Sequence, residues 1–217
     1  MPKFCLANKH NLLLAGLLSL LACESAEKQA DSLPILGPME LATAADGSVD
    51  TLFYPFPDFV LEDQYGLVVT PDSLENQILV VDFFFSSCPT ICKDLLRNMR
   101  RVNEKFGSNQ GLRLLSHTVD PRYDTREVLA QYAQQAGAQG RSWLFLRGEE
   151  EVIYHLAQKA YLSHAQADSM APGGFLHSGH FILLDPQKRI RGVFDGTDDG
   201  QVPALLAAIE QLLKEQS

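Results

Sequence analysis

A near-continuous apolar run, Ile78 to Phe85, leads straight into Ser86-Ser87-Cys88-Pro89-Thr90-Ile91-Cys92. A run without alternation reads as a strand buried on both faces, which is a feature of α/β folds. Two thiols follow it at what reads as the start of a helix, 90–106. Thiols at i and i+4 share one helical face. The first is expected near the helix N-terminus, where the dipole favours thiolate. Such a pair can close a disulfide or hold a soft metal.

The surrounding pattern supplies a fold. Helix 90–106 has Leu95, Met99, Val102 and Phe106 on one stripe, with Arg97, Arg100 and Arg101 away from it. Leu112 to Val119 reads as the next strand. Asp124 is expected to cap a helix from Thr125 to Gln135, with Val128, Leu129 and Tyr132 facing inward. Trp143–Leu146 reads as a strand and Glu149–Ala160 as a helix. Phe181–Leu184 and Ile190–Phe194 flank Asp185-Pro186-Gln187-Lys188 as a hairpin. Val202–Lys214 closes the chain as an amphipathic helix. Ahead of this block, Thr51–Tyr54 is a strand candidate. Pro57–Leu61 and Leu67–Thr70 flank the turn Asp63-Gln64-Tyr65-Gly66. The order βαβα, then a hairpin and a last helix, implies an α/β domain with a central mixed sheet flanked by helices. With paired cysteines at a strand-to-helix turn, a thioredoxin-like fold with an N-terminal β-hairpin extension is expected.

The N-terminus resembles an export signal. Lys3 and Lys9 precede an apolar stretch, Leu12 to Leu21, too short to span a bilayer. Leu20-Leu21-Ala22-Cys23 resembles the lipobox of bacterial lipoproteins, which implies cleavage before Cys23 and a lipid on its sulfur. The expected organisation is a signal peptide at 1–22, a lipid-anchored polar tether at 23–45 and one domain at 46–217. Cys5 then leaves with the signal and Cys23 is acylated, so Cys88 and Cys92 remain as the only thiols. An oxidising compartment tends to join them unless something keeps them reduced or metallated. Residues 1–22 hold two lysines and no acid, leaving 16 basic and 27 acidic side chains and a formal charge of −11. No basic cluster remains, which argues against nucleic acid.

Thioredoxin-like redox proteins usually place two residues between the cysteines; here there are three. Cu(I) suits two thiolates plus an imidazole. Zinc would want a fourth ligand, and none is obvious. His117, inside a strand, and His155 and His164, on or after a helix, read as ordinary core or surface histidines. His177 and His180 lie in Pro172-Gly173-Gly174-Phe175-Leu176-His177-Ser178-Gly179-His180, a glycine-rich loop entering the hairpin. In a thioredoxin-like topology this loop approaches the cysteine turn. Three residues apart in extended chain, the two point to opposite faces, so one ligand is expected from them.

The Cys88-to-Cys92 pair, the strand end Ser116-His117-Thr118-Val119-Asp120-Pro121, and His177-Ser178 nine residues before Pro186 together resemble the Sco/SenC family, over about residues 50–215. That family comprises membrane-tethered, thioredoxin-like copper proteins of cytochrome c oxidase assembly. The resemblance implies Cys88, Cys92 and His177 as copper ligands, with His180 matching no ligand position. It implies a copper metallochaperone of the bacterial cell envelope, on the extracytoplasmic side, whose partner is the copper-accepting subunit of the oxidase. The alternative is a thiol–disulfide oxidoreductase using Cys88 and Cys92, with a thiol reductant, that keeps the oxidase cysteines reduced. A peroxidase reading is weaker, because Thr90 follows Cys88 and no arginine is clearly placed. The family often has proline after the second cysteine; here it is Lys93, a cation expected to favour thiolate. Asp120 and Asp124 are expected to cap the next helix, the alternative being support of the metal ligands from behind.

Overall fold

The structure is a computed structural model of the 217-residue chain and describes residues 32–43, 46–53 and 56–216. The expected signal peptide at 1–22 and the lipidation site Cys23 lie outside the described residues. The elements are β1 (Met39–Thr43), β2 (Val49–Phe53), β3 (Leu61–Glu62), β4 (Val68–Val69), β5 (Ile78–Phe84) and α1 (Cys92–Phe106). Then come β6 (Leu112–Thr118), α2 (Arg126–Ala136), β7 (Trp143–Leu146), α3 (Glu150–Lys159), β8 (Ala165–Ala167) and β9 (Phe175–His177). The chain closes with β10 (His180–Leu184), β11 (Ile190–Asp195) and α4 (Val202–Glu215).

A five-stranded sheet in the order β11-β10-β5-β6-β7 forms the centre. β5, β6 and β7 run parallel, β10 lies antiparallel to β5, and β11 antiparallel to β10. This is the expected mixed sheet of a thioredoxin-like fold. All seven residues of β5 are buried, as its apolar run requires. Alternate side chains of β5 serve opposite faces. On one face Phe84 stacks on Tyr132 of α2, and Asp82 lines a small cavity with Cys92 and Leu95 of α1. On the other, Phe83 packs against His117 and against Tyr161, just past α3.

Several boundaries differ from expectation for identifiable reasons. The first major helix begins at Cys92 rather than residue 90, so Cys88 lies in the preceding turn. Ile91 is the N-cap, its carbonyl accepting from the N–H groups of Asp94 and Leu95. Asp124 does not cap α2; the Thr125 hydroxyl does, accepting from the Val128 N–H at 3.4 Å. The anticipated strand Pro57–Leu61 shrinks to Leu61–Glu62, paired with Val68–Val69. β1 was not expected, because Met-Glu-Leu-Ala-Thr lacks a β-branched run; it pairs with β2 in a largely exposed hairpin. The short pair β8–β9 was also not expected. Residues from Leu33 onward, read as part of the polar tether, pack on the sheet: the Arg191 guanidinium donates to the Leu33 carbonyl, and Leu36 bridges Ile190.

The edge strand β7 is covered by a side chain. Gln64 donates to the Trp143 carbonyl at 3.0 Å and accepts from the Phe145 N–H at 2.9 Å. A buried amide here supplies ladder partners that would otherwise be missing.

His117 is fully buried and stacked on Phe83, with Nε2 3.3 Å from the Tyr161 hydroxyl. Its Nδ1 has no hydrogen-bond partner among the described residues. Burial pushes its pKa down to about 3, so the folded protein holds it neutral. Unfolding frees it to bind a proton below its ordinary pKa of about 6.5, so this contribution to stability is complete above that value and is lost as pH falls toward 3. Between about pH 7 and pH 4, wild type is expected to lose about 3 kcal/mol more stability than a His117→Leu variant. Urea denaturation of both at the two pH values checks it; parallel losses would show that His117 does not govern acid sensitivity.

Candidate metal centre

Three side chains converge at the end of the sheet where β5 finishes. One donor atom each from Cys88, Cys92 and His177 lies within 4.8 Å of the others, and all three residues are buried. Cys88 sits in the turn after β5, its N–H donating to the Phe85 carbonyl at 3.1 Å. Cys92 opens α1. His177 ends β9 and is held there by pairing with Ala165 in β8. The thiols therefore meet through a turn folded back on the first helical turn, not as i and i+4 on one helix.

Two close approaches hold the loop from β9 against the cysteine turn. Gly173 has φ +80°, and a Cβ there would stand 2.7 Å from the Phe85 ring and 3.1 Å from Pro89. Only glycine meets both conditions. His177 packs edge-on to Phe85, with ring centres 5.7 Å apart. His180 is exposed and outside the cluster, as are His155 and His164.

His177 Nδ1 lies 3.1 Å from the Ser178 carbonyl, which can only accept. Nδ1 therefore carries the proton and Nε2 presents a lone pair. Nε2 faces Cys92 Sγ at 3.5 Å. The two thiols differ in protonation. Cys88 is pushed well down from the ordinary thiol value, chiefly because the Cys92 thiol donates to its sulfur, helped by the backbone N–H groups of Thr90 and Cys92. Cys92 is pushed up, because ionising it would lose that hydrogen bond and place a second charge in a buried site. Lys93 is exposed and is not among the groups that hold the thiolate. The Thr90 hydroxyl sits 3.6 Å from Cys88 Sγ.

Asp124 acts on the cysteine turn. Its carboxylate accepts from the Ser86 N–H at 3.1 Å and from the hydroxyls of Ser86 and Thr118. It thus ties the residues just before Cys88 to the end of β6, which is the supporting alternative for this residue. Asp120 accepts from the Tyr123 N–H at 3.2 Å and shapes the loop before α2. Arg122 and Tyr123 are surface residues.

Asp82 was not identified from the sequence. It is fully buried in β5, accepts from the Ser116 hydroxyl at 2.5 Å, and Ser116 in turn accepts from the Trp143 indole N–H at 2.9 Å. Burial pushes its pKa up to about 6. The signal was present as one carboxylate inside an otherwise apolar run. A charged residue in a central strand costs several kcal/mol unless it is neutralised or partnered.

This arrangement makes two expectations. At mildly acidic pH, iodoacetamide should alkylate Cys88 well before Cys92 in the metal-free protein, as peptide mass mapping would show; equal labelling would contradict the assigned thiolate. Asp124→Ala removes the acceptor of three donors and should cost about 2–3 kcal/mol while raising the Cys88 alkylation rate. A stability loss with an unchanged alkylation rate would separate Asp124 from the site.

Comparison with known proteins identifies the family. The SCO1/SenC family model matches residues 55–214. A SCO1 protein homolog of Bacillus subtilis is 27% identical over 155 residues, covering 69% of this chain and 78% of that protein. Mitochondrial SCO1 of Saccharomyces cerevisiae is 31% identical over 134 residues, 59% of this chain and 44% of the yeast protein. Among solved structures, a SCO1/SenC family lipoprotein from Bacillus anthracis superposes with a TM-score of 0.66 at 21% identity, covering 74% of this chain and 95% of that one. Yeast Sco1 with copper bound superposes at 0.56 and 26% identity, covering 72% and 88%. The chain belongs to the SCO1/SenC family.

Proposed function

We propose that this protein binds one copper ion through Cys88, Cys92 and His177, and works as an extracytoplasmic metallochaperone for the copper centre of cytochrome c oxidase. The observation that carries the reading is the convergence of two sulfurs and one imidazole nitrogen within 4.8 Å. Two soft thiolates with one imidazole suit copper in either oxidation state. Cys88 already carries the negative charge a cation needs, and the Nε2 lone pair is aimed inward by the Ser178 carbonyl. Cys92 must give up its proton as metal enters, so binding releases acid. The cluster contains no fourth protein ligand among the described residues. A three-ligand site leaves room for an incoming ligand from an acceptor, which is what stepwise transfer demands.

The relatives support this direction. Yeast Sco1 and Arabidopsis thaliana ScoI have been solved with copper bound. BsSco is described as a member of the Sco family of cytochrome c oxidase assembly proteins. The anchored placement follows from the lipobox-like Leu20-Leu21-Ala22-Cys23, and a family member from Bacillus anthracis is described as a lipoprotein. No helix among the described residues is long and apolar enough to cross a membrane.

A second reading has its own observation. Cys88 and Cys92 are free, close and oppositely protonated. A thiolate beside a thiol is the arrangement of a dithiol reductant. Cys88 would attack a partner disulfide, and Cys92 would then displace the partner thiol, leaving a Cys88–Cys92 disulfide and a reduced partner.

Cu(I) titration against a competing chelator distinguishes the two. Wild type should bind one ion; either single cysteine-to-serine variant should lose at least about 100-fold in affinity, and His177→Ala about 10- to 100-fold. Wild-type stoichiometry and affinity in the Cys88→Ser, Cys92→Ser double variant would falsify the copper reading. Under the oxidoreductase reading, His177→Ala leaves disulfide exchange with an oxidised peptide at wild-type rate and the single serine variants abolish it.

A further inference from the structure

A cavity of about 630 Å³ shares no lining residue with the metal centre. Its apolar lining includes Ile35, Leu36, Phe53, Phe56 and Leu162. Its charged residues are Lys159, Lys188 and Arg189, with no carboxylate among the lining residues. In a chain of formal charge −9 this is a local inversion of sign. A hollow with an apolar lining, whose charged residues are all cations beside the polar Thr51, Gln158 and Gln187, is complementary to an amphiphile with an anionic head and a hydrocarbon tail.

The cations are differently committed. Lys188 stands in the left-handed region, φ 63°, and its ammonium donates to the Leu74 carbonyl at 2.6 Å. Arg189 shares the carboxylate of Asp185 with Arg191 and lies 5.7 Å from the centre of the Phe53 ring. Lys159 has no acidic partner among the described residues. Leu162 is also in the left-handed region, φ 49°, and half exposed. A branched apolar side chain pays twice there, in backbone strain and in hydration, without any core to fill. Leu36, 40% exposed, extends the same apolar surface.

The topology says where the Gln187–Ile190 wall of this cavity lies. Ile190 pairs with Leu184, and Leu184 with Leu79, at the beginning of β5. The cysteine turn follows the other end of β5. Five residue steps separate Leu79 from Phe84, roughly 17 Å of strand. The chain enters the domain at that same far end, where Arg191 fixes the Leu33 carbonyl and Leu36 bridges Ile190. Nine residues lie between Cys23 and Leu33, ten Cα steps in all. Ten Cα steps span at most about 35 Å.

We propose that this end of the domain is a membrane-docking face. An anionic phospholipid of the bilayer puts an acyl chain into the cavity lined by Leu36, Phe53 and Leu162, with its phosphate against Lys159, Lys188 and Arg189. The inference goes beyond the metal site and rests on the anchoring reading only for proximity. A tether of this length keeps the bilayer at high effective concentration, so a weakly binding face suffices. The docked domain holds the metal centre at the end of the sheet turned away from the lipid.

The test uses the chain as isolated from its membrane, placed in vesicles of phosphatidylcholine alone or with an equal proportion of phosphatidylglycerol. Hydrogen exchange of segments 35–38, 160–162 and 187–190 is followed in each. Exchange is expected to slow by about fivefold or more in the anionic vesicles, following the attraction of basic residues to an anionic surface. The Lys159→Glu, Leu162→Asp double variant should show no difference between the two membranes and keep wild-type copper stoichiometry. Equal exchange of wild type in both vesicles, or a variant indistinguishable from wild type, overturns the proposal. The mass of the N-terminal peptide reports separately on Cys23. If Cys23 is unmodified, the anchoring reading fails alone. The same exchange measured with vesicles added to the soluble chain then supports the face if it slows and overturns it if it does not.

Discussion

The antiparallel pairing of β10 with β5 is the contact on which the site depends. Cys92 and His177 are 85 residues apart in the chain. They meet because Ile182 lies opposite Val81 and Leu183 opposite Val80, which brings the start of β10 alongside the end of β5. The buried run of β5 makes that pairing worth its ordering cost, since every residue on it leaves water. The glycine-rich approach to β10 then has to pass over the cysteine turn. Gly173 is the point at which backbone and ring come close enough for the imidazole to reach the sulfurs. Core, strand order and metal centre are thus consequences of one register.

Much of the fold was legible because it rests on patterns a sequence displays directly. The run Ile78–Phe85 gave a central strand, and the stripe Leu95, Met99, Val102 and Phe106 gave the buried face of the helix behind it; all four are buried. What escaped was structure specified by partners instead of pattern. β8 and β9 are three residues each, and Ala-Gln-Ala has little strand preference of its own; it becomes a strand by pairing with the segment that carries His177. The same holds for β1. The helix start was misjudged because its N-cap, Ile91, carries no capping side chain to mark it.

The candidate site was legible in which three side chains converge and less so in what surrounds them. Spacing singled out the two cysteines, the family resemblance chose His177 over His180, and the structure brings Cys88, Cys92 and His177 together. Asp124 looked like a helix cap because it precedes a helix by the right interval, yet its neighbour Thr125 takes that role. Its carboxylate instead serves Ser86 and Thr118, contacts that span two strands and leave no periodic trace. Asp82 was hidden in plain view, because an apolar run is read for what dominates it. The helix dipole already singled out the first cysteine as the thiolate; the cause in the structure is a different one, the Cys92 thiol donating to Cys88, and that contact leaves no sequence signal.

The line of hydrogen bonds from Trp143 through Ser116 to Asp82 gives the protein an internal optical gauge. Trp143 is the single tryptophan of the chain, and its indole lines the same small cavity as Cys92. Any change of charge or occupancy at that sulfur alters the field on the one dominant fluorophore, two hydrogen bonds from the carboxyl between them. The emission of the untouched protein therefore reads out the state of its cysteines without a label.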